Sequence, residues 1–63
     1  MIRLTKLNNV SFVINCELIE TIESTPDTVI TLNNGKKYVI TETIDEVVEK
    51  VVQYKNRVYD IKY

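Results

Sequence analysis

The side chains able to do covalent or acid–base chemistry are few in this chain, and their spacing argues against catalysis. Cys16 is the single cysteine, and there is no histidine to take its proton. The neighbouring Glu17 carries the wrong charge to stabilise a thiolate, so Cys16 reads as a small buried hydrophobe. Glu17, Glu20 and Glu23 recur every third residue, a spacing that would align acids on a helix for general acid–base work. They lie among β-formers, however, and in a strand Glu20 and Glu23 face opposite sides, which suits a solvated edge. Lys36 and Lys37 beside Gly35 suggest an anion cradle, yet the spacing of a phosphate loop is missing and no helix follows the glycine. One thiol with scattered carboxylates cannot build a zinc site. The expectation is a protein that is not an enzyme, with no catalytic, cofactor-binding or metal-ligating residues and no cofactor.

The elements that carry these residues punctuate clearly. Ile2 to Leu7 alternates as a strand, with Ile2 and Leu4 on one face and Arg3 and Thr5 on the other. Asn8-Asn9 follows as a two-residue hairpin turn, because asparagine tolerates positive φ. A second strand from Val10 to Ile14 points Val10, Phe12 and Ile14 to one side. Asn15-Cys16-Glu17 breaks the alternation as a corner, a single helical turn capped by Asn15. Leu18 to Glu23 makes a third strand of mixed pattern. In Thr25-Pro26-Asp27-Thr28, Pro26 pre-sets φ for a turn and Asp27 bonds backbone groups just beyond it. The strand Thr28 to Leu32 then meets the strand Lys36 to Ile40 through Asn33-Asn34-Gly35. Asn34-Gly35 is the strongest short-range hairpin signal, both residues accepting φ > 0. Strands three, four and five are thus a meander.

Thr43-x-x-Glu46 is a capping box that opens a helix at Ile44, and Asp45 and Glu46 put negative charge where the helix dipole favours it. Valine is a middling helix former, so packing must hold this segment. On a wheel of about 100° per residue, Val47, Val51, Tyr54 and Val58 fall to one side of Ile44, and Val48, Val52 and Tyr59 to the other. With Ile61 and Tyr63 the apolar arc spans roughly 200°, whereas a helix lying on one surface needs a stripe of about 100° or a little more. The surplus predicts a partner interface at Val48, Val52, Lys55, Tyr59 and Tyr63. Lys55 falls within the arc. It is accommodated if its stem runs along apolar surface, or if the ~24 Å helix overhangs strands of ~20 Å.

Length sharpens that expectation. A 63-residue chain buries only ~60% of its unfolded surface, and small domains often add a disulfide, a metal or a second subunit. With the first two set aside, a homo-oligomer or another partner is expected. Lys and Arg number 8 against 9 Asp and Glu, a net charge of −1 that gives no case for a polyanion, so no nucleic acid is expected. Arg3 and Lys6 interrupt any leader-like apolar run. Phe12-Val13-Ile14 is far short of the ~20 residues of a membrane span. A cytoplasmic protein with no direct membrane insertion is the expectation.

Several of these stretches resemble one family. Met1-Ile2-x-Leu4-Thr5-x-Leu7-Asn8, then Asn15, then Leu18-Ile19-Glu20-x-Ile22-Glu23 carry the likeness. Thr25-Pro26-Asp27-Thr28-Val29-Ile30-x-Leu32 and Gly35-Lys36-Lys37-Tyr38 complete it. Together they are similar to the FlbD family of small flagellar and swarming-motility proteins, SwrD-like members included, over nearly the whole chain. The chain departs at Asn9, where glycine is common in that family, and at Cys16, where alanine is usual. The resemblance implies a non-enzymatic accessory of bacterial flagella that supports swarming and motor power by contacts with motor or stator proteins. It would work in the cytoplasm or at the cytoplasmic face of the motor, and supplies no catalytic residues.

A rival reading is a small dimeric RNA-binding regulator. Met1-Ile2-Arg3-Leu4-Thr5-Lys6, five short strands and a final helix loosely resemble the carbon-storage regulator family. That family carries basic residues where the last strand meets the helix, whereas Glu42, Asp45 and Glu46 stand there and repel phosphates. The expected architecture is α+β: residues 1–63 as one domain, a bent antiparallel sheet of four to five strands within 2–41 that could approach a barrel, and one C-terminal helix over about 44–60. The expected core is Ile2, Leu4, Val10, Phe12, Ile14, Leu18, Ile22, Ile30, Leu32, Tyr38, Ile40, Ile44, Val47 and Val51. The structural turns are expected at Asn8, Asn9, Pro26, Asp27, Asn34 and Gly35.

Overall fold

Five short strands and one helix follow in the order that the punctuation predicts. The computed structural model describes residues 1–24 and 26–59, without the side chain of Tyr59. Strand β1 (Ile2–Thr5) pairs antiparallel with β2 (Ser11–Ile14), and Ile2 stands opposite Ile14 and Leu4 opposite Phe12. A 3-10 turn, Cys16–Leu18, leads into β3 (Ile19–Ser24), and the Asn15 side chain caps it by accepting the Glu17 N–H at 3.0 Å. The meander β3–β4–β5 is completed by β4 (Thr28–Leu32) and β5 (Lys37–Ile40). Helix α1 spans Ile44–Tyr59.

The fold is α+β, but its strands form two sheets, of two and three strands, instead of one. The sheets meet where Lys6 bridges Ile40 and the Thr41 N–H donates to the Thr5 carbonyl at 2.9 Å. That single join is too short to continue a ladder, and the described strands do not close into a barrel.

Both hairpins with an asparagine-rich turn have three-residue loops, in place of the expected two-residue Asn8-Asn9 turn and the expected positive φ at both Asn34 and Gly35. The Asn9 N–H donates to the Lys6 carbonyl and the Lys6 N–H to the Val10 carbonyl, each at 2.9 Å. The same pattern recurs with Gly35 to Leu32 at 2.9 Å and Leu32 to Lys36 at 2.8 Å. Asn8 and Asn34 each accept the N–H two residues ahead, from Val10 at 3.1 Å and Lys36 at 3.0 Å. Only the last loop residue then needs positive φ. Accordingly it is Asn9 (67°) and Gly35 (88°) that adopt it, while Asn34 does not. One residue is spent on each loop, so Val10 falls outside β2 and is 51% exposed, contrary to its expected place in the core.

The mixed pattern of β3 has a similar cause. Ile19 pairs with Leu32 and Thr21 with Thr31, so Glu20 is an extra residue that no β4 residue opposes. This bulge brings Ile19 and Ile22, three apart, onto the face that Leu32 and Ile30 share two apart. Leu18, expected in the core, instead ends the 3-10 turn at 38% exposed, and Ile19 takes its inward place.

The core consists of Ile2, Leu4, Ile14, Cys16, Ile30, Leu32, Ile40 and Val47, with Phe12, Ile19, Ile22, Tyr38, Val51 and Tyr54 packed around it. Ile44 is half-buried. Leu4, Ile30, Ile40 and Val47 are fully enclosed, a burial that stabilises by about 1.5–3 kcal/mol per side chain. Val47 reaches this centre because α1 lies on β1 and β3. The capping box forms as expected: Thr43 Oγ1 accepts from the Glu46 N–H at 3.1 Å, and the Thr43 N–H donates to Glu46 Oε1 at 2.8 Å.

Candidate partner-binding surface

The helix does carry more apolar surface than its sheets cover. Val47 is fully enclosed and Val51 half-buried, whereas Val48 is 48% and Val52 46% exposed. These two valines and Val51 form one wall of a groove of about 250 Å³, and Cys16, Ile19 and Ile22 form the other. The 3-10 turn supplies Cys16, and the bulge supplies the Ile19–Ile22 pair, so the groove depends on both irregularities of the chain. At 43% and 48% side-chain exposure, Lys55 Nζ and Glu17 Oε1 form an ion pair at 3.3 Å between the helix and the 3-10 turn. Exposed pairs of this kind contribute roughly 0–1 kcal/mol, so this one orients two side chains more than it holds the fold.

The apolar arc remains open toward the end of the helix. Val58 lies on the same side as Val47 and Val51, two to three turns further along, and is 52% exposed. Of the interface residues expected from the wheel, Val48 and Val52 line the groove and Lys55 pairs with Glu17. The Tyr59 side chain and Tyr63 lie outside the described residues, as do Ile61 and Thr25. The sheet-side wall was missed by the wheel. The three-residue spacing of Ile19 and Ile22, wrong for a flat strand, was the available signal.

Residues with chemical potential are placed apart. Cys16 is free and buried, and among the described residues no three His, Cys, Asp or Glu side chains gather to hold a metal. A larger cleft of about 470 Å³ lies where the Pro26-Asp27 turn faces the start of the helix, with Thr28, Thr41 and Thr43 in its walls. Among the described residues no side-chain hydrogen bond links a hydroxyl there to Asp27 or Asp45.

One carboxylate is held by the fold itself. Glu42 Oε1 accepts the Thr5 N–H at 3.0 Å, across 37 residues of sequence. Burial pushes the Glu42 carboxyl up, but hydrogen bonds from the Thr5 N–H, its own backbone N–H and the Thr5 hydroxyl, with the nearby charge of Lys50, bring the net shift below the usual value. The bond fastens the approach to α1 onto the end of β1.

No helix among the described residues is long and apolar enough to cross a membrane. Comparison with curated proteins and with solved structures gave no match. The family model of FlbD, flagellar and swarming motility proteins, matches residues 1–59. With nearly the entire chain matched, from β1 to the last turn of α1, this protein belongs to the FlbD family of flagellar and swarming motility proteins.

Proposed function

We propose that the protein is a non-enzymatic accessory of the flagellum that supports swarming and motor output by binding a motor or stator protein. The groove between α1 and β3 carries this reading: Val48, Val51 and Val52 face Cys16, Ile19 and Ile22 across an apolar depression that the chain itself leaves open. Lys55, paired with Glu17 of the 3-10 turn, borders the same surface. A homo-oligomer that leaves this flank accessible fits the small size of the core. The protein acts in the cytoplasm or at the cytoplasmic face of the motor. The acidic Glu42, Asp45 and Glu46 at the junction of β5 and α1 support a protein partner over RNA, since they would repel phosphates.

The test is a cell expressing the Val48→Glu, Val52→Glu double variant at normal level, with its circular dichroism compared with the parent. Swarming is expected to fail while the helix signal and the melting transition persist. Normal swarming in that strain would reject the groove as the working surface.

A further inference from the structure

A second surface lies on the other side of the helix, roughly 160° around it from Val52. Arg3 from β1 and Lys50 and Arg57 from α1 line one shallow depression of about 150 Å³, together with Ile2, Gln53 and Tyr54. Three cations on two elements converge there in a chain whose net charge is −1. Among the described residues Arg3 and Arg57 make no ion pair, the salt bridge found being that of Lys55 with Glu17. Lys50 feels the charge of Glu42, whose oxygen is already committed to the Thr5 N–H. Glu42, and Glu46 four residues before Lys50, offset only part of this charge; the remaining local excess is unfavourable, and an anionic partner relieves it.

We propose that this cleft docks a short acidic segment of a partner protein, two or three carboxylates entering between Arg3, Lys50 and Arg57. At about 150 Å³ the cleft is smaller than the roughly 300–1,000 Å³ typical of nucleotide and drug-sized pockets and suits carboxylate groups. The surroundings select among polyanions. Glu46 stands one turn before Lys50 on the same helix face and Glu49 on the adjoining one, Glu49 accepting from Gln53 at 3.2 Å, so a uniformly charged nucleic acid or anionic membrane would meet repulsion beside the attraction. A peptide can place a few carboxylates in the cleft and neutral residues over the glutamates. Arginine suits this task because its planar fork pairs with a carboxylate through two hydrogen bonds. The proposal is independent of the apolar groove and stands or falls separately from it.

The experiment is a titration of the isotope-labelled full chain with hexaglutamate, followed by amide chemical shifts. Hexaglutamine, inorganic phosphate and phosphatidylglycerol vesicles serve as parallel arms. Hexaglutamate is expected to move the amides around Arg3, Lys50 and Arg57, with loss of the effect at high salt, while hexaglutamine moves none. Each of Arg3→Gln and Arg57→Gln is expected to weaken binding up to about fivefold, the upper range for exposed ion pairs. The proposal is overturned by absent or dispersed shift changes in the parent protein, by unchanged affinity in both single variants, or by tighter binding of phosphate or vesicles at the same amides. The parent's shift map decides the matter even if a variant folds poorly.

Discussion

The Phe12 and Tyr38 rings lie with centroids 5.1 Å apart and planes tilted by 31°, one ring from each sheet. The Lys6 ammonium sits 5.4 Å from the first centroid and 5.8 Å from the second. Lys6 is also the residue whose backbone bridges Ile40. Side chains therefore continue the join between the two sheets where the backbone ladder stops. An aromatic pair contributes about 0.5–1.5 kcal/mol beyond area burial, and a cation over an exposed ring about 0.5–1 kcal/mol.

Replacing Phe12 by leucine should accordingly destabilise the domain by about 1 kcal/mol. A Lys6→Gln, Phe12→Leu double-mutant cycle in urea should give a coupling of about 0.5 kcal/mol. Additive single effects would show that the lysine rests near the rings without stabilising them.

The two three-residue loops make the same demand on their last residue, met by different side chains. Gly35 at φ 88° has open space where a Cβ would go, so Gly35→Ala tests backbone strain alone. It should cost about 1–2 kcal/mol. Asn9 at φ 67° tolerates the conformation better than most residues, and Asn9→Val should cost more than Asn9→Gly. Urea midpoints of the three variants check the order.

Stability should respond to acid through Glu42. Its folded pKa lies below the ordinary value of 4.5, so the unfolded chain takes up a proton first as pH falls. The Glu42 contribution is complete above the unfolded pKa and disappears as pH falls through the folded one. A Glu42→Gln variant should therefore be less stable than the parent near pH 7, and the difference should shrink below pH 4.5. Urea melts of both proteins across that window decide it, and a gap that widens in acid would contradict the assignment.

Thr43 is a further checkable anchor. Its hydroxyl and N–H both engage Glu46, so Thr43→Ala should cost about 1 kcal/mol while Thr43→Ser retains most of the cap. A reduced helix signal concentrated in the first turn, read by hydrogen exchange, is the expected accompaniment.

Features readable in the sequence share a property: their hydrogen bonds close within a few residues. The Thr43–Glu46 box, the Asn15 cap of a single turn, the meander and the alternation of β1 and β4 all follow from neighbours along the chain. Departures arose where a distant partner set the register and, at the first hairpin, where one loop length was chosen over another. The pairing of Ile19 with Leu32 turns Leu18 outward, and the longer Asn8-Asn9 loop leaves Val10 exposed. The expected single sheet divides because β1 and β5 touch at one bridge.

The candidate surfaces divide in the same way. Residue spacing alone determined that α1 has a wider apolar arc than one sheet can cover, since helical periodicity is a local property. Only the tertiary structure decided what lies opposite that arc, because the Glu20 bulge and the 3-10 turn place Ile19, Ile22 and Cys16 there through contacts with β4 and α1. The meeting of Arg3 with Lys50 and Arg57, about fifty residues apart along the chain, likewise results from packing. Charges that balance over the whole sequence become a local excess once the fold brings a strand beside a helix.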